Sequence, residues 1–319
     1  MKIIESRKPL GETGLLVSEL CLGVLPMGPL HIDMPQDACV ELIQKALSLG
    51  VNFLDTAEMY KTQPYIGEVL QGQRSRVILS SKSMADSYDD MARSVEKSLE
   101  EMKTDYIDIY HLHAPNYPGK VIHERKGALK FLEKMKLQKV IRNIGVATHH
   151  PETVIKGAER DDIDVIFTLI NKKGMGIIGS VADMLQAIKF AHAQGKGLYA
   201  MKVLAGGNLI PELEEAFRWV RAIEEMTSIA VGIVSEEELL MDLCLFGMID
   251  IDLQSISVEK KGKKLLIQKK ICKGCGRCVE KCPNNALYLE QKKAVVDHSK
   301  CLLCAYCGPA CEEFAIRIT

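Results

Sequence analysis

The chain has 319 residues, 47% of them apolar and 26% charged, which is ordinary globular composition with room for one large domain and a small one. A formal net charge of −1 excludes an overall electrostatic footprint for nucleic acid, and no apolar run is long enough to span a membrane, since Ser18 and Glu19 interrupt the stretch from Leu15 to Gly28. The first five residues lack the apolar segment of a signal peptide, and eight of the cysteines lie between Cys272 and Cys311 in metal-ligand spacing, so a cytoplasmic protein without a disulfide framework is expected.

Lys8–Val17, with Gly11 and Gly14 between short apolar pieces, reads as a small hairpin. Strands follow with ends near Gly23, Asp55, Lys82, His113, Val146, Asn171, Lys202 and Gly232. Helical periodicity predicts helices over Asp37–Leu49, Asp89–Met102, Gly127–Met135, Pro151–Glu159, Val181–Gln194, Pro211–Glu225 and Glu236–Phe246. The strand ends recur every 25 to 33 residues without sequence identity between units. Eight such units close most simply into an α/β (β/α)8 TIM barrel, about 250 residues long, with chemistry at the C-terminal strand ends. An open doubly wound sheet is the alternative; no Gly-x-Gly-x-x-Gly follows the first strand.

The stretch Val51–Tyr60 runs apolar until Asp55, and a carboxylate ending a buried strand needs a partner. Period-2 alternation in Val77–Lys82 puts Ser80 and Lys82 on one face and Val77 and Leu79 on the other. Asp55, Lys82 and His113 can therefore converge from consecutive strand ends, with Tyr60 on the loop after the second strand. One ion pair plugging a barrel mouth would explain Asp55 and Lys82 equally well. His111, one layer deeper than His113, reads as a hydrogen-bonded core histidine.

Leu54-Asp-Thr-Ala-Glu-Met-Tyr60, Ser81-Lys82 and Asp105-Tyr-Ile-Asp-Ile-Tyr-His-Leu-His113 resemble the tetrad motifs of the aldo-keto reductases. The resemblance extends from about Leu10 to Phe246 and includes Lys139–Val146 and Lys202–Gly207. It implies NADPH- or NADH-dependent reduction of a small-molecule carbonyl, with Asp55, Tyr60, Lys82 and His113 as catalytic residues. Tyr60 would donate the proton, its pKa lowered by Lys82, which Asp55 orients. His113 would hydrogen-bond the substrate oxygen. The resemblance also places a dinucleotide against Thr148, His149, Asn171, Met201, Lys202, Leu204, Gly206, Gly207, Gly232, Ser235 and Glu238. Several positions depart from the family pattern. Thr148 and His149 replace a Ser-Asn pair, Phe167 a glutamine, and Met201 an aromatic residue. Glu236, Glu237 and Glu238 stand where relatives carry a cation for a 2′-phosphate, so NADH is expected to bind at least as well as NADPH.

Composition changes after Phe246. The expected division is a barrel over residues 1–250, then a linker and a small α+β ferredoxin-like domain over 251–319. Glu259–Lys264 is a basic stretch that reads as a solvated linker. Cys272, Cys275, Cys278 and Cys282 are each repeated 29 residues later as Cys301, Cys304, Cys307 and Cys311, and Pro283 follows the first run. This is the spacing of two-cluster bacterial ferredoxins, in which the fourth cysteine of each run ligates the other cluster. One [4Fe–4S] cluster would take Cys272, Cys275, Cys278 and Cys311, the other Cys301, Cys304, Cys307 and Cys282. Structural zinc is the alternative. Cys21, Cys39 and Cys244 read as core residues. From Glu259 onward Lys and Arg outnumber Asp and Glu 13 to 6, whereas the rest carries 28 against 36, so a cationic module could dock on an acidic barrel. Three functions compete: a carbonyl reductase with an electron-transfer module, an iron–sulfur carrier whose barrel is a scaffold, and a reductase with structural clusters. Hydride moves two electrons and a cluster one, and no flavin motif is visible, so a redox partner protein, a bound flavin or a substrate radical is called for if the two communicate.

Overall fold

The computed structural model describes residues 2–4, 6–115, 117–253, 256, 263–303 and 306–318. Eight parallel strands form a closed barrel: β1 (Leu20–Gly23), β2 (Phe53–Asp55), β3 (Ile78–Ser83), β4 (Ile107–Ala114), β5 (Ile141–Thr148), β6 (Val165–Leu169), β7 (Gly197–Met201) and β8 (Ser228–Gly232). β8 pairs back onto β1, with Val231 opposite Leu22. The outer helices are α1 (Gln36–Ser48), α2 (Gln63–Leu70), α3 (Tyr88–Glu101), α4 (Lys126–Leu137), α5 (Pro151–Ala158), α6 (Val181–Ala193), α7 (Leu213–Arg221) and α8 (Glu236–Leu245).

Alternation along the strands makes two cores. Leu22, Leu54, Leu79, Leu112 and Val146 point outward against the helices. Cys21, Phe53, Ile109, Ala147, Phe167 and Tyr199 fill the barrel, and Leu10, Leu15 and Val17 of the hairpin Lys8–Pro9/Leu16–Val17 close its floor. The inward face expected for Lys82 is thus the observed one. Cys21 and Cys39 are buried core residues, and Cys244 is half-buried.

The sequence pattern did not show α2. It has only eight residues, with Gly67, a poor helix former, in its interior. Gly67 is there for packing: a Cβ would sit 2.5 Å from the carbonyl oxygen of Glu101 on α3. β6 and β7 end at Leu169 and Met201, leaving Asn171 and Lys202 on the loops beyond. Pro211 lies in a 3-10 turn, Ile210–Glu212, and α7 starts only at Leu213.

The C-terminal part pairs β9 (Leu265–Ile267) with β12 (Ile316–Ile318), and β10 (Leu287–Glu290) with β11 (Lys293–Val296), all antiparallel. Leu265, Leu287, Ala294, Ala315, Ile316 and Ile318 form its small core together with cysteines. This module docks on the loop after β7. Ile318 N–H donates to Gly206 O (2.9 Å), and Asn208 Nδ2 donates to Ile316 O (3.2 Å). Phe314 inserts among Leu169, Ala205, Leu209 and Ala216. Of the basic linker stretch, residues 259–262 lie outside the described ones; Lys263 forms an ion pair with Glu238 on α8. Among the described residues no helix is long and apolar enough to cross a membrane.

Candidate active site

Asp55 closes β2 and is 4% exposed. Its register partner on β3 is Ser80, and Lys82 follows on the same inward face. The Lys82 ammonium donates to Asp55 Oδ2 (2.6 Å) and to Thr56 O (2.7 Å). Asp55 Oδ1 accepts from Ser80 Oγ (3.1 Å) and Tyr199 Oη (3.2 Å). A charge this deep is tolerable only when paired and hydrogen-bonded, and this one is both. Burial draws Lys82 below the usual ammonium range and lifts Asp55 above the usual carboxylate range, each charge opposing the other's shift.

Tyr60 sits on a 3-10 turn, Glu58–Tyr60, after β2. Its ring centroid is 5.0 Å from Lys82 Nζ and 6.2 Å from the His113 ring, which it meets edge-on. His113 is buried, and its Nδ1 has no partner among the described residues. Burial, then the charges of Lys82, Lys202 and Arg125, hold His113 well below the usual imidazole range, so it is neutral at pH 7. The four side chains therefore converge. The expected direction for Tyr60 is reversed, however. Burial and then the charge of Asp55 push the phenol above its ordinary value. Lys82 directs its hydrogen bonds to Asp55 and Thr56, so Tyr60 stays protonated.

Beneath this group lies a layer that sequence reasoning only half anticipated. Phe167 and Tyr199 stack with centroids 3.9 Å apart. Tyr199 Oη is 2.7 Å from His111 Nε2 and 2.9 Å from Ser80 Oγ. His111 is thus the core histidine expected. Tyr199 was not singled out; its signal was the inward position two residues before Met201.

In the module, one cavity is lined by Cys272, Cys275, Cys278 and Cys311, the crossed set anticipated from the spacing. Burial first, then the charges of Cys278, Cys301 and Cys282, push the Cys307 thiol up to about 12. Cys304 lies outside the described residues. Backbone N–H groups aim at the sulfurs: Ala315 at Cys311 (3.3 Å), Ala286 at Cys282 (3.2 Å), Gly274 and Ala294 at Cys272 (3.4 Å each). Four cysteines around one cavity, with amide donors on the sulfurs of Cys272 and Cys311, fit a cubane cluster, whose potential such donors tune.

The profile of the aldo/keto reductase family matches residues 19–231, and that of the 4Fe-4S dicluster domain matches residues 271–315. The chain belongs to the aldo/keto reductase family. It is 27% identical over 186 residues to the uncharacterized oxidoreductase YqkF of Bacillus subtilis, covering 52% of this chain and 58% of that one. It is 26% identical over 214 residues to L-galactose dehydrogenase of Arabidopsis thaliana, covering 63% and 66%. The chain thus spans less than two thirds of the length of these relatives. Among solved structures, PA4992 of Pseudomonas aeruginosa superposes with a TM-score of 0.67 at 24% identity, covering 75% of this chain and 94% of that one. A holo aldo-keto reductase of Bacillus halodurans superposes with a TM-score of 0.65 at 20% identity, covering 81% and 99%. Both likenesses are of fold.

In this aldo/keto reductase the residues implied for a dinucleotide ring the barrel rim, and several are already engaged. Thr148 Oγ1 accepts from His150 N (3.1 Å). Asn171 Nδ2 donates to Met175 O (3.0 Å) and Lys202 O (3.3 Å), and its Oδ1 accepts from Lys173 and Met175 N–H, so it ties down its loop. His149 Nε2 lies 3.1 Å from Lys202 Nζ. Met201 packs between the barrel interior and the Phe314 cluster. Leu204 packs beside Phe314, while Gly206 and Gly207 lie directly under β12. Gly232 abuts Pro26, where a Cβ would be 2.4 Å from Cγ. Ser235 caps α8, its Oγ accepting from Glu238 N (3.2 Å). Two of the three acids there have cations: Glu238 pairs with Lys263, and Glu236 with Lys45 (2.8 Å).

Proposed function

We propose that residues 1–250 form an NAD(P)H-dependent reductase of small-molecule carbonyls and that residues 251–319 carry two [4Fe–4S] clusters serving electron transfer. The observation that carries this reading is the buried Asp55–Lys82 pair beside a protonated Tyr60 and a neutral His113. When bound, NADH or NADPH supplies hydride to the carbonyl carbon. The orphaned His113 Nδ1 and the cations of the rim suit a polar, anionic cofactor and a carbonyl oxygen. His113 holds the oxygen through a neutral N–H. Tyr60 donates its proton to the alkoxide, which is a stronger base than the phenolate left behind, so a raised phenol pKa does not prevent the transfer. Lys82, 5.0 Å from the ring centroid, stabilises the phenolate as it forms.

Cys272, Cys275, Cys278 and Cys311 would hold one cluster, and Cys301, Cys304, Cys307 and Cys282 the other, for one-electron transfer to a redox partner protein or a flavin. We place the protein in the cytoplasm, acting on small molecules rather than nucleic acid or membrane. A second reading, an iron–sulfur carrier with the barrel as scaffold, draws on the engaged polar groups of Thr148 and Asn171. Tyr60→Phe separates the two: it should lower NAD(P)H-dependent reduction of a test aldehyde by about 10²–10⁴-fold, with cofactor affinity by fluorescence titration unchanged. Unaltered turnover would defeat the reductase assignment.

A further inference from the structure

At the junction of barrel and module a half-buried lysine and a buried arginine face no carboxylate among the described residues. Lys202 follows β7 at φ +57°. Its Nζ meets His149 Nε2 (3.1 Å) and the ring of Phe314 (5.4 Å from the centroid). Arg317 comes from the other side of the junction, on β12, and is 6% exposed. Its guanidinium lies 3.7 Å from the centroid of the same Phe314 ring, and its side chain crosses Gly206. Nη1 donates to the carbonyls of Phe314 and Ile316; among the described residues, Nε and Nη2 donate to nothing.

Lys196, also buried, is satisfied by a carbonyl, donating to Arg160 O (2.7 Å), and the other largely buried cations face acids. Lys82 faces Asp55, Arg74 faces Asp108, Arg125 faces Asp86, and Lys172 faces Glu212 and Glu215. Lys202 and Arg317 instead lie against the same aromatic ring, Phe314. Burial and then Arg317 draw Lys202 well below the usual ammonium range. His31, on the loop after β1, feels both: burial, then Arg317, then Lys202 lower it to about 4, and its Nδ1 has no partner among the described residues. The sulfur of Cys311 answers part of the charge of Arg317, and an anion held between the two cations would relieve the rest of their repulsion.

We propose that Lys202 and Arg317 form an oxyanion-binding site that is complete only when the iron–sulfur module is docked. A planar guanidinium with two free donors suits phosphate or carboxylate oxygens. The oxyanion is either the diphosphate of the dinucleotide or an anionic group of the substrate. The site does not depend on the reductase reading, because pyrophosphate binding reports on Lys202 and Arg317 whether or not Tyr60 reduces a carbonyl.

The test is calorimetric titration of the anaerobically purified full chain, clusters in place, with inorganic pyrophosphate at low salt. Wild type should bind, and Arg317→Gln and Lys202→Gln should each weaken binding by about tenfold or more, with Arg317→Lys intermediate. Visible cluster absorbance checks that the module is intact in Arg317→Gln; Lys202→Gln lies on the barrel and carries the test if it is not. Saturating NADH then separates the sources. Displacement of pyrophosphate assigns the site to the cofactor diphosphate, and simultaneous binding assigns it to the substrate's anionic group; either result supports the site. No binding at millimolar pyrophosphate, or equal affinity in wild type and both glutamine variants, overturns it.

Discussion

Lys82→Met keeps the aliphatic stem and removes the charge. Asp55 Oδ2 then loses its 2.6 Å donor, while Oδ1 keeps Ser80 and Tyr199. The side chains of the pair are 1% and 6% exposed, so solvent cannot replace the ammonium. Breaking a buried pair from one side costs about 3–5 kcal/mol, because the remaining charge is uncompensated. The cost depends on pH. Burial already lifts Asp55, with Lys82 pulling it down; without Lys82 it rises further. A carboxyl whose folded pKa exceeds its unfolded value of about 3.9 keeps its full contribution only below that value. That contribution is lost as pH rises through the folded pKa. The deficit of Lys82→Met should therefore be small in acid and complete at and above neutrality. Urea unfolding followed by far-UV circular dichroism at about pH 5 and about pH 8 would read it, with cluster absorbance recorded separately because two domains need not unfold together. Adding Asp55→Asn to Lys82→Met should recover most of the loss and remove its pH dependence. A deficit below about 1 kcal/mol at the higher pH, as for an exposed pair, or one that does not shrink in acid, would refute the buried-pair argument.

Gly207→Ala should unseat the module. At φ +86° the new Cβ would lie 2.2 Å from Ile318 O, whereas Gly247→Ala, at φ +69°, meets nothing within 4 Å and isolates the left-handed backbone cost of about 1–2 kcal/mol. Amide exchange of Ile318, whose N–H is held by Gly206 O, should speed up in the first variant and not in the second. Cys311→Ser should damage the cluster held by Cys272, Cys275 and Cys278 and leave four of eight iron atoms; loss of the other cluster instead, judged by iron count and electron paramagnetic resonance, would refute the crossed ligand sets.

Much of this was legible in the sequence, for identifiable reasons. The barrel showed because each unit spends a strand and a helix on a nearly constant length, and Asp55, Lys82 and His113 showed because period-2 alternation fixes which side chains point inward. α2 did not show, because it is short and Gly67 answers to tertiary packing against Glu101 rather than to helix propensity. The direction at Tyr60 was misread for a similar reason: spacing brings Lys82 close, but only the three-dimensional arrangement reveals that Asp55 and Thr56 take its hydrogen bonds. The cations answering Glu236 and Glu238 come from Lys45 and Lys263, at separations no local motif reports. Arg317 reads on its own as one more lysine-or-arginine of a basic module; its burial against Gly206 exists only after docking.

The docking bears on how the two halves communicate. Hydride carries two electrons and each cluster one, so direct exchange needs an intermediary. A mechanical route needs none. Cys311 anchors the chain just before β12: its carbonyl accepts from Phe314 N–H, and its sulfur from Ala315 N–H. Phe314 then packs against the barrel, and Arg317 follows three residues later. On the proposed ligand set, a cluster held by Cys311 would also fix the segment that carries Phe314 and Arg317 against the barrel. A module of this size has little core of its own, so its order depends heavily on such anchoring. If the proposed oxyanion site holds, the module would set ligand affinity at the barrel rim through the position of one guanidinium, whichever way electrons flow, and cluster integrity and barrel binding would be linked quantities.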